Sequence, residues 1–207
     1  MYSMQALGTI PIDIFSTLID SSLYAKQQFQ NVLNVSGYNG PPVYLLASFF
    51  IPNAIAMSKP IYQPCQPYVF SHFERYVIYN PNFMRYMEFT SGNEYVTLSI
   101  FAHELGHHFY GHADIFPYSG IPIHPHDSEC AAEYYSGFIL ARLGARPNDL
   151  ESAQRLIFSM FPTESHPDSY KRISSIVKGW KDGGGIGIAV DDLVLIYNKI
   201  TNEMNRW

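Results

Sequence analysis

The sequence predicts an α+β fold, with a small, mostly antiparallel sheet packed on one central helix and on further helices. Three observations carry this. The element signals run helix, a few short strands, then helices, an order that suits a sheet with its helices segregated from it. The stretch Glu94 to His112, EYVTLSIFAHELGHHFYGH, reads as a buried helix with polar chemistry on one face. Finally, 207 residues at 47% hydrophobic suffice for one substantial core, or one core plus a small appendage.

Taken in order, Ser16 to about Val35 is predicted helical, with Leu18, Ile19, Leu23, Phe29, Val32 and Leu33 apolar and Ser36-Gly37 ending it. Gly40-Pro41-Pro42 makes a turn. Val43 to Leu46 and Asn53 to Met57 read as strands, and Ser58 to Tyr68, with Pro60, Pro64 and Pro67, as an irregular loop. Tyr76 to Tyr79 is a third strand, ended by Asn80-Pro81. A short helix over Phe83 to Phe89 then leads into the central helix.

Ala113 to His126 is a proline-rich loop holding His124 and His126, within reach of a substrate or metal, although loop histidines more often touch neither. Asp127 or Ser128 caps the next helix, which runs to about Leu143 and stops at Gly144 and Pro147. Leu150 to Phe161 is helical. His166-Pro167 opens another helix, turning Tyr170, Ile173, Val177 and Trp180 inward. Asp182-Gly-Gly-Gly-Ile-Gly is a flexible joint before a last amphipathic helix, capped by Asp191 and bearing Leu193, Ile196, Tyr197, Ile200 and Met204. Residues 1–181 thus read as a single domain with its core over about 43–181, and 182–207 as joint and terminal helix.

A net charge of −5 and a pI near 5.9, with no Lys/Arg run, argue against nucleic acid as a partner. Cys65 and Cys130 are the only cysteines, too few for a disulfide scaffold. The start MYSMQALGTIPIDIF lacks a basic region followed by an apolar one, which predicts no signal peptide. Val43 to Met57, the most apolar stretch, is too short to span a bilayer and is interrupted by Pro52. The expectation is a soluble, cytoplasmic protein of undetermined oligomeric state.

Chemistry concentrates in His103-Glu104-Leu105-Gly106-His107, an HExxH match. Val96, Ile100, His103 and His107 recur at spacings of four, three and four, so the two imidazoles lie one turn apart and can grip one ion. Glu104 lies to the side, where it can reach water on that ion. The plain alternative is a satisfied core histidine pair. Against it stands the apolar helix around the motif, with Gly106 in its middle; glycine there costs roughly 1 kcal/mol relative to alanine and calls for a reason, such as close approach of another backbone.

Catalytic zinc takes three protein ligands and keeps an open position. A third histidine in an HExxHxxGxxH pattern would fall at residue 113, which is Ala113, and its glycine at Tyr110. His108 and His112 are out of register for the same ion and read as supporting or surface residues. Glu129 is the better candidate, with Glu133 one turn on and therefore on the same helix face. Glu129 can bind the metal while Glu133 accepts the N–H of a ligand histidine, setting its tautomer. Two carboxylates one turn apart on a closely packed helix favour a cation between them over a solvated face.

With these motifs the chain resembles the gluzincin metallopeptidases of the HtpX and CAAX-prenyl-endopeptidase type, in their small soluble, minigluzincin-like form. The likeness spans roughly Val43 to Trp180. HELGHH with the following Gly111-His112 resembles the metal helix, and Glu129-Cys-Ala-Ala-Glu133 the family's E-x-x-A-D segment, with Glu133 in place of its Asp. Asn53-Ala54-Ile55-Ala56 is similar to the strand that pairs with substrate backbone, and His166-Pro167 with Arg172 to a late His-Pro…Arg motif.

The resemblance implies a zincin-like fold and a zinc endopeptidase acting on a peptide or protein. His103, His107 and Glu129 would be ligands of one Zn2+ and Glu104 the general base. His166 would hydrogen-bond the developing oxyanion; its alternative is an ordinary helix-cap histidine. Glu133 and Arg172 would be supporting groups, and Asn53, Ala54 and Ala56 would bind substrate. Three alternatives stay open: a latent enzyme whose zinc is covered by the Cys65 loop or the terminal helix, a metal-stabilised binding module without turnover, and a hydrolase acting on something other than peptides.

Overall fold

The computed structural model describes residues 14–63, 66–114, 125–158 and 169–187. A 3-10 turn at Ile14–Thr17 precedes β1 (Ile19–Asp20), α1 (Leu23–Ser36), β2 (Val43–Ala47), β3 (Ala54–Gln63) and β4 (Gln66–Tyr79). Then come α2 (Pro81–Ser91), α3 (Tyr95–Phe109), α4 (Pro125–Arg142), α5 (Pro147–Phe158) and α6 (Ser169–Asp182). The architecture is α+β, with six α-helices and one four-stranded sheet among the described residues.

The strand order is β1-β2-β4-β3. β2 and β4 are parallel, from Val43 opposite Arg75 to Ala47 opposite Tyr79, and the other two pairs are antiparallel. Alternation along β4 divides the core. Val77 and Tyr79 join the main cluster under the helices, whereas Ile78 faces a smaller cluster with Ile14, Ile51, Ile55 and Met57. α3 runs through the main cluster, its fully buried Phe101 ring held edge-on by Phe29 of α1 and Tyr79 of β4 at centroid distances of 5.7 and 5.5 Å. Asn80 joins sheet to helices: its side-chain oxygen accepts from the Asn82 and Phe83 N–H groups at the start of α2, and its amide donates to the Ile51 carbonyl.

Several sequence expectations are corrected. The first helix starts at Leu23, not Ser16, because Ser22 caps it and Ile19-Asp20 instead pair with Leu46-Ala47. Ser58 to Tyr68 is not an irregular loop. β3 continues to Gln63 and β4 begins at Gln66, so the region is mainly a hairpin, and Pro60 is accommodated because β3 lies at the sheet edge. α4 begins at Pro125, suited to a first helical turn, so His126 is helical rather than in the loop and Ser128, instead of capping, donates to the Pro125 carbonyl. α5 likewise opens early, at Pro147, where Asp149 accepts the Arg146 N–H.

In α6, Ile173, Val177 and Trp180 are buried as expected, but Tyr170 is 48% exposed. Cys65, His124, His166-Pro167 and the helix expected after Asp191 lie outside the described residues. No helix among the described residues is long and apolar enough to cross a membrane.

α4 and α6 touch backbone to backbone. A Cβ on Gly137 would meet the Ile176 carbonyl oxygen at 1.9 Å, and one on Gly179 the Tyr134 oxygen at 1.8 Å. This close crossing brings Arg172 of α6 against Glu133 of α4.

Candidate metal centre

α3 is buried on most of its circumference, and His103 and Glu104 are its partly buried central residues. Its glycine has the reason the sequence called for: a Cβ on Gly106 would lie 3.1 Å from the Ala132 Cα and 3.2 Å from the Tyr135 Cβ. α4 therefore passes close to α3 beside the HExxH turn, with Glu129 one turn before that contact.

The result is a triangle of donor groups, with both Glu129 oxygens turned toward the two imidazoles. His103 Nε2 lies 3.2 Å from His107 Nε2 and 3.4 Å from Glu129 Oε2, and His107 Nε2 lies 3.6 Å from Glu129 Oε1. Ligand bonds of about 2.0–2.1 Å at tetrahedral angles put neighbouring ligand atoms roughly 3.3–3.4 Å apart, within about 0.3 Å of each of these separations. A proton can bridge one edge of such a triangle; a cation at its centre satisfies all three. These are the residues among those described that can hold a metal ion.

Charge points the same way. Glu129 and Glu133 are both about 2% exposed or less, and Glu133 has a guanidinium against it, with Arg172 Nε and Nη2 donating to its Oε1. Burial opposes protonation of His103, yet the Glu133 and Glu129 carboxylates outweigh it and raise this imidazole well above its ordinary value. Without a cation the cluster thus draws a proton into the position a metal would neutralise. Burial, with His103 close by, pushes His107 down to about 3, leaving it neutral. For Glu133, burial is overcome by Arg172 and His103, which bring it down to about 2. Its Oε2 lies 3.6 Å from His103 Nδ1, so a proton on Nδ1 leaves the Nε2 lone pair in the triangle.

Glu104 sits between α3 and the sheet edge. Burial pushes its carboxyl up to about 7, partly offset by His103 and by a hydrogen bond from the Ala56 backbone N–H. Ala54 and Ala56 lie in β3 opposite Tyr79 and Val77, while Asn53 precedes the strand and its carbonyl accepts the Asn80 N–H. The structure therefore brings His103, Glu104, His107, Glu129, Glu133 and Arg172 together, with Ala56 adjoining through Glu104.

Of the two places expected for His108 and His112, supporting or surface, the structure excludes the surface: both are buried. His108 donates from Nε2 to the Tyr76 carbonyl at 2.9 Å, and burial lowers its pKa to about 4. His112 lies 3.2 Å, Nδ1 to Nδ1, from His107. Register arguments assume the helix continues. Here Gly111, at φ 72°, ends it with His112 N–H on the His107 carbonyl and Gly111 N–H on that of His108, a Schellman motif. Gly111, four residues after His107, was the available sequence signal. Also unforeseen was the buried Arg75–Asp114 pair at 2.8 Å, with Ser58 donating to the other Asp114 oxygen.

Compared with protein-family models, with curated proteins and with solved structures, the chain gives no match in any of the three.

Proposed function

We propose that this chain is a zinc-dependent endopeptidase with a zincin-like fold. The observation that carries the reading is the convergence of His103, His107 and Glu129, whose nitrogens and carboxylate lie 3.2–3.6 Å apart, with Glu104 beside them. Bound there, zinc would supply a Lewis acid and bring the pKa of water from 15.7 toward about 7. The remaining work belongs to the chain. Glu104 takes a proton from the attacking water on its carboxylate and hands it to the leaving amine.

Glu133, gripped by Arg172, holds His103 in the ligand tautomer. The Ala56 N–H aims Glu104, which points this backbone group away from β4; by the two-residue alternation of an antiparallel strand, Ala54 presents its backbone the same way. An extended peptide can add to that edge, so backbone rather than side chain would be read. His166, on the resemblance drawn from the sequence, would donate to the oxyanion, a contact typically worth roughly 3 kcal/mol.

Metal analysis of the purified chain beside Glu129→Ala tests the ligand set, and casein cleavage with and without a chelator tests the chemistry. The expected result is one zinc per chain, lost in Glu129→Ala, and chelator-sensitive cleavage absent in Glu104→Gln although that variant keeps its metal. Cleavage surviving in Glu104→Gln would sink the mechanism. Metal binding without any cleavage would point to a metal-stabilised binding module.

A further inference from the structure

Each imidazole of the triangle has a partner behind it, and the two partners differ in kind. Behind His103 stands the Glu133 carboxylate; behind His107 stands the His112 ring. We propose that His112 is the positioning residue for His107, its Nδ1 accepting the His107 Nδ1–H so that the His107 Nε2 lone pair faces His103 and Glu129. The inference rests on the metal reading, because only a ligand role requires His107 Nε2 to be free of a proton.

The geometry follows from how α3 ends. A Schellman motif brings the second residue beyond the helix back over the third residue from its end, a contact that is usually apolar. In this chain the two positions are His112 and His107, joined also by the His112 N–H on the His107 carbonyl at 2.8 Å. The returning turn is then anchored. Tyr110 stacks on the His112 ring at 5.5 Å, and Asp114, two residues on, is tied to Arg75 of β4 and Ser58 of β3. His112 is 7% exposed, and its Nδ1 lies 3.2 Å from His107 Nδ1, within reach of a proton carried there. A neutral acceptor also suits the charge count. With Glu129 and Glu133 already buried beside the two imidazoles, a third carboxylate would add repulsion, whereas imidazole orients His107 without adding charge.

The test uses the full chain and zinc alone. Zn2+ affinity is measured by chelator competition for wild type, His112→Leu and His112→Asn. Asparagine can place its Oδ1 where His112 Nδ1 lies; leucine has similar bulk and no acceptor. The expected result is binding weakened roughly tenfold to hundredfold in His112→Leu, the range seen on losing such a partner, with most of the loss restored in His112→Asn.

A leucine variant that binds zinc like wild type, or an asparagine variant as weak as leucine, overturns the inference and leaves the metal site standing. Failure of wild type itself to bind one equivalent sinks the metal reading and this inference together. Should the leucine variant not fold, long-range 1H–15N correlation of the wild-type imidazoles decides: a proton on His107 Nδ1 and none on His112 Nδ1 supports it, and the reverse overturns it.

Discussion

The Ala132 Cα lies 3.1 Å from where a Gly106 Cβ would stand, so α4 meets α3 at a place where no side chain fits without movement. The neighbour is backbone, backed by the Tyr135 Cβ at 3.2 Å, and neither can swing aside. Gly106→Ala gains about 1 kcal/mol of helix propensity and loses a similar amount to overpacking. Its stability in urea should therefore change by roughly 1 kcal/mol or less. Zinc affinity should fall further, about tenfold, because α4 carries Glu129 and can relieve the contact only by withdrawing it. A variant that binds zinc normally would show that the closeness of these helices does not set the third ligand.

Arg172 and Glu133 form a buried pair in which the guanidinium Nε donates at 2.9 Å and Nη2 donates to the same oxygen. Removing one partner of such a pair strands a buried charge and typically costs about 3–5 kcal/mol. Arg172→Met should show that loss in chemical denaturation of the metal-free chain, and a smaller loss with saturating zinc, which supplies positive charge nearby. Arg172→Lys should recover only part of it, since an ammonium lacks the guanidinium's two-pronged geometry. An Arg172→Met chain as stable as wild type would refute this account of the α4–α6 contact.

His108 is buried and neutral, its pKa lowered from 6.5 to about 4. The unfolded chain therefore binds this proton first, and the contribution to stability is complete above about pH 6.5 and lost as pH falls toward 4. The window corresponds to about 3 kcal/mol at most. His107 and His112 share the sign and His103 has the opposite one, so the comparison with His108→Gln, whose amide can still donate to the Tyr76 carbonyl, isolates the effect. In the metal-free chain, wild type should lose more stability than this variant between pH 6.5 and 4. Parallel pH profiles would assign acid sensitivity to other groups.

Where the sequence failed, the missing information was nonlocal. Prolines make Ser58 to Tyr68 look irregular, because an interior strand has no place for them; for Pro60 an edge strand does, and which strand is at the edge depends on the sheet order. Ser16 to Leu18 looked helical by apolar spacing until pairing between Ile19-Asp20 and Leu46-Ala47 claimed its neighbours. Local signals were dependable where they concerned stereochemistry: Asn80 ahead of Pro81, and glycines 37 and 144 at positive φ just past their helices.

Helical periodicity alone determined that His103 and His107 share a face and that Glu129 and Glu133 share another, since residues four apart stack one above the other in any α-helix. Tertiary structure decided that the two faces meet, that Arg172 arrives to neutralise Glu133, and that His112 turns back onto His107. Those outcomes depend on how closely two helices can approach and on where a chain is made to reverse. At Gly106 and Gly111 both are decided by the absence of a side chain, whose consequence appears only when the neighbouring backbone is in place.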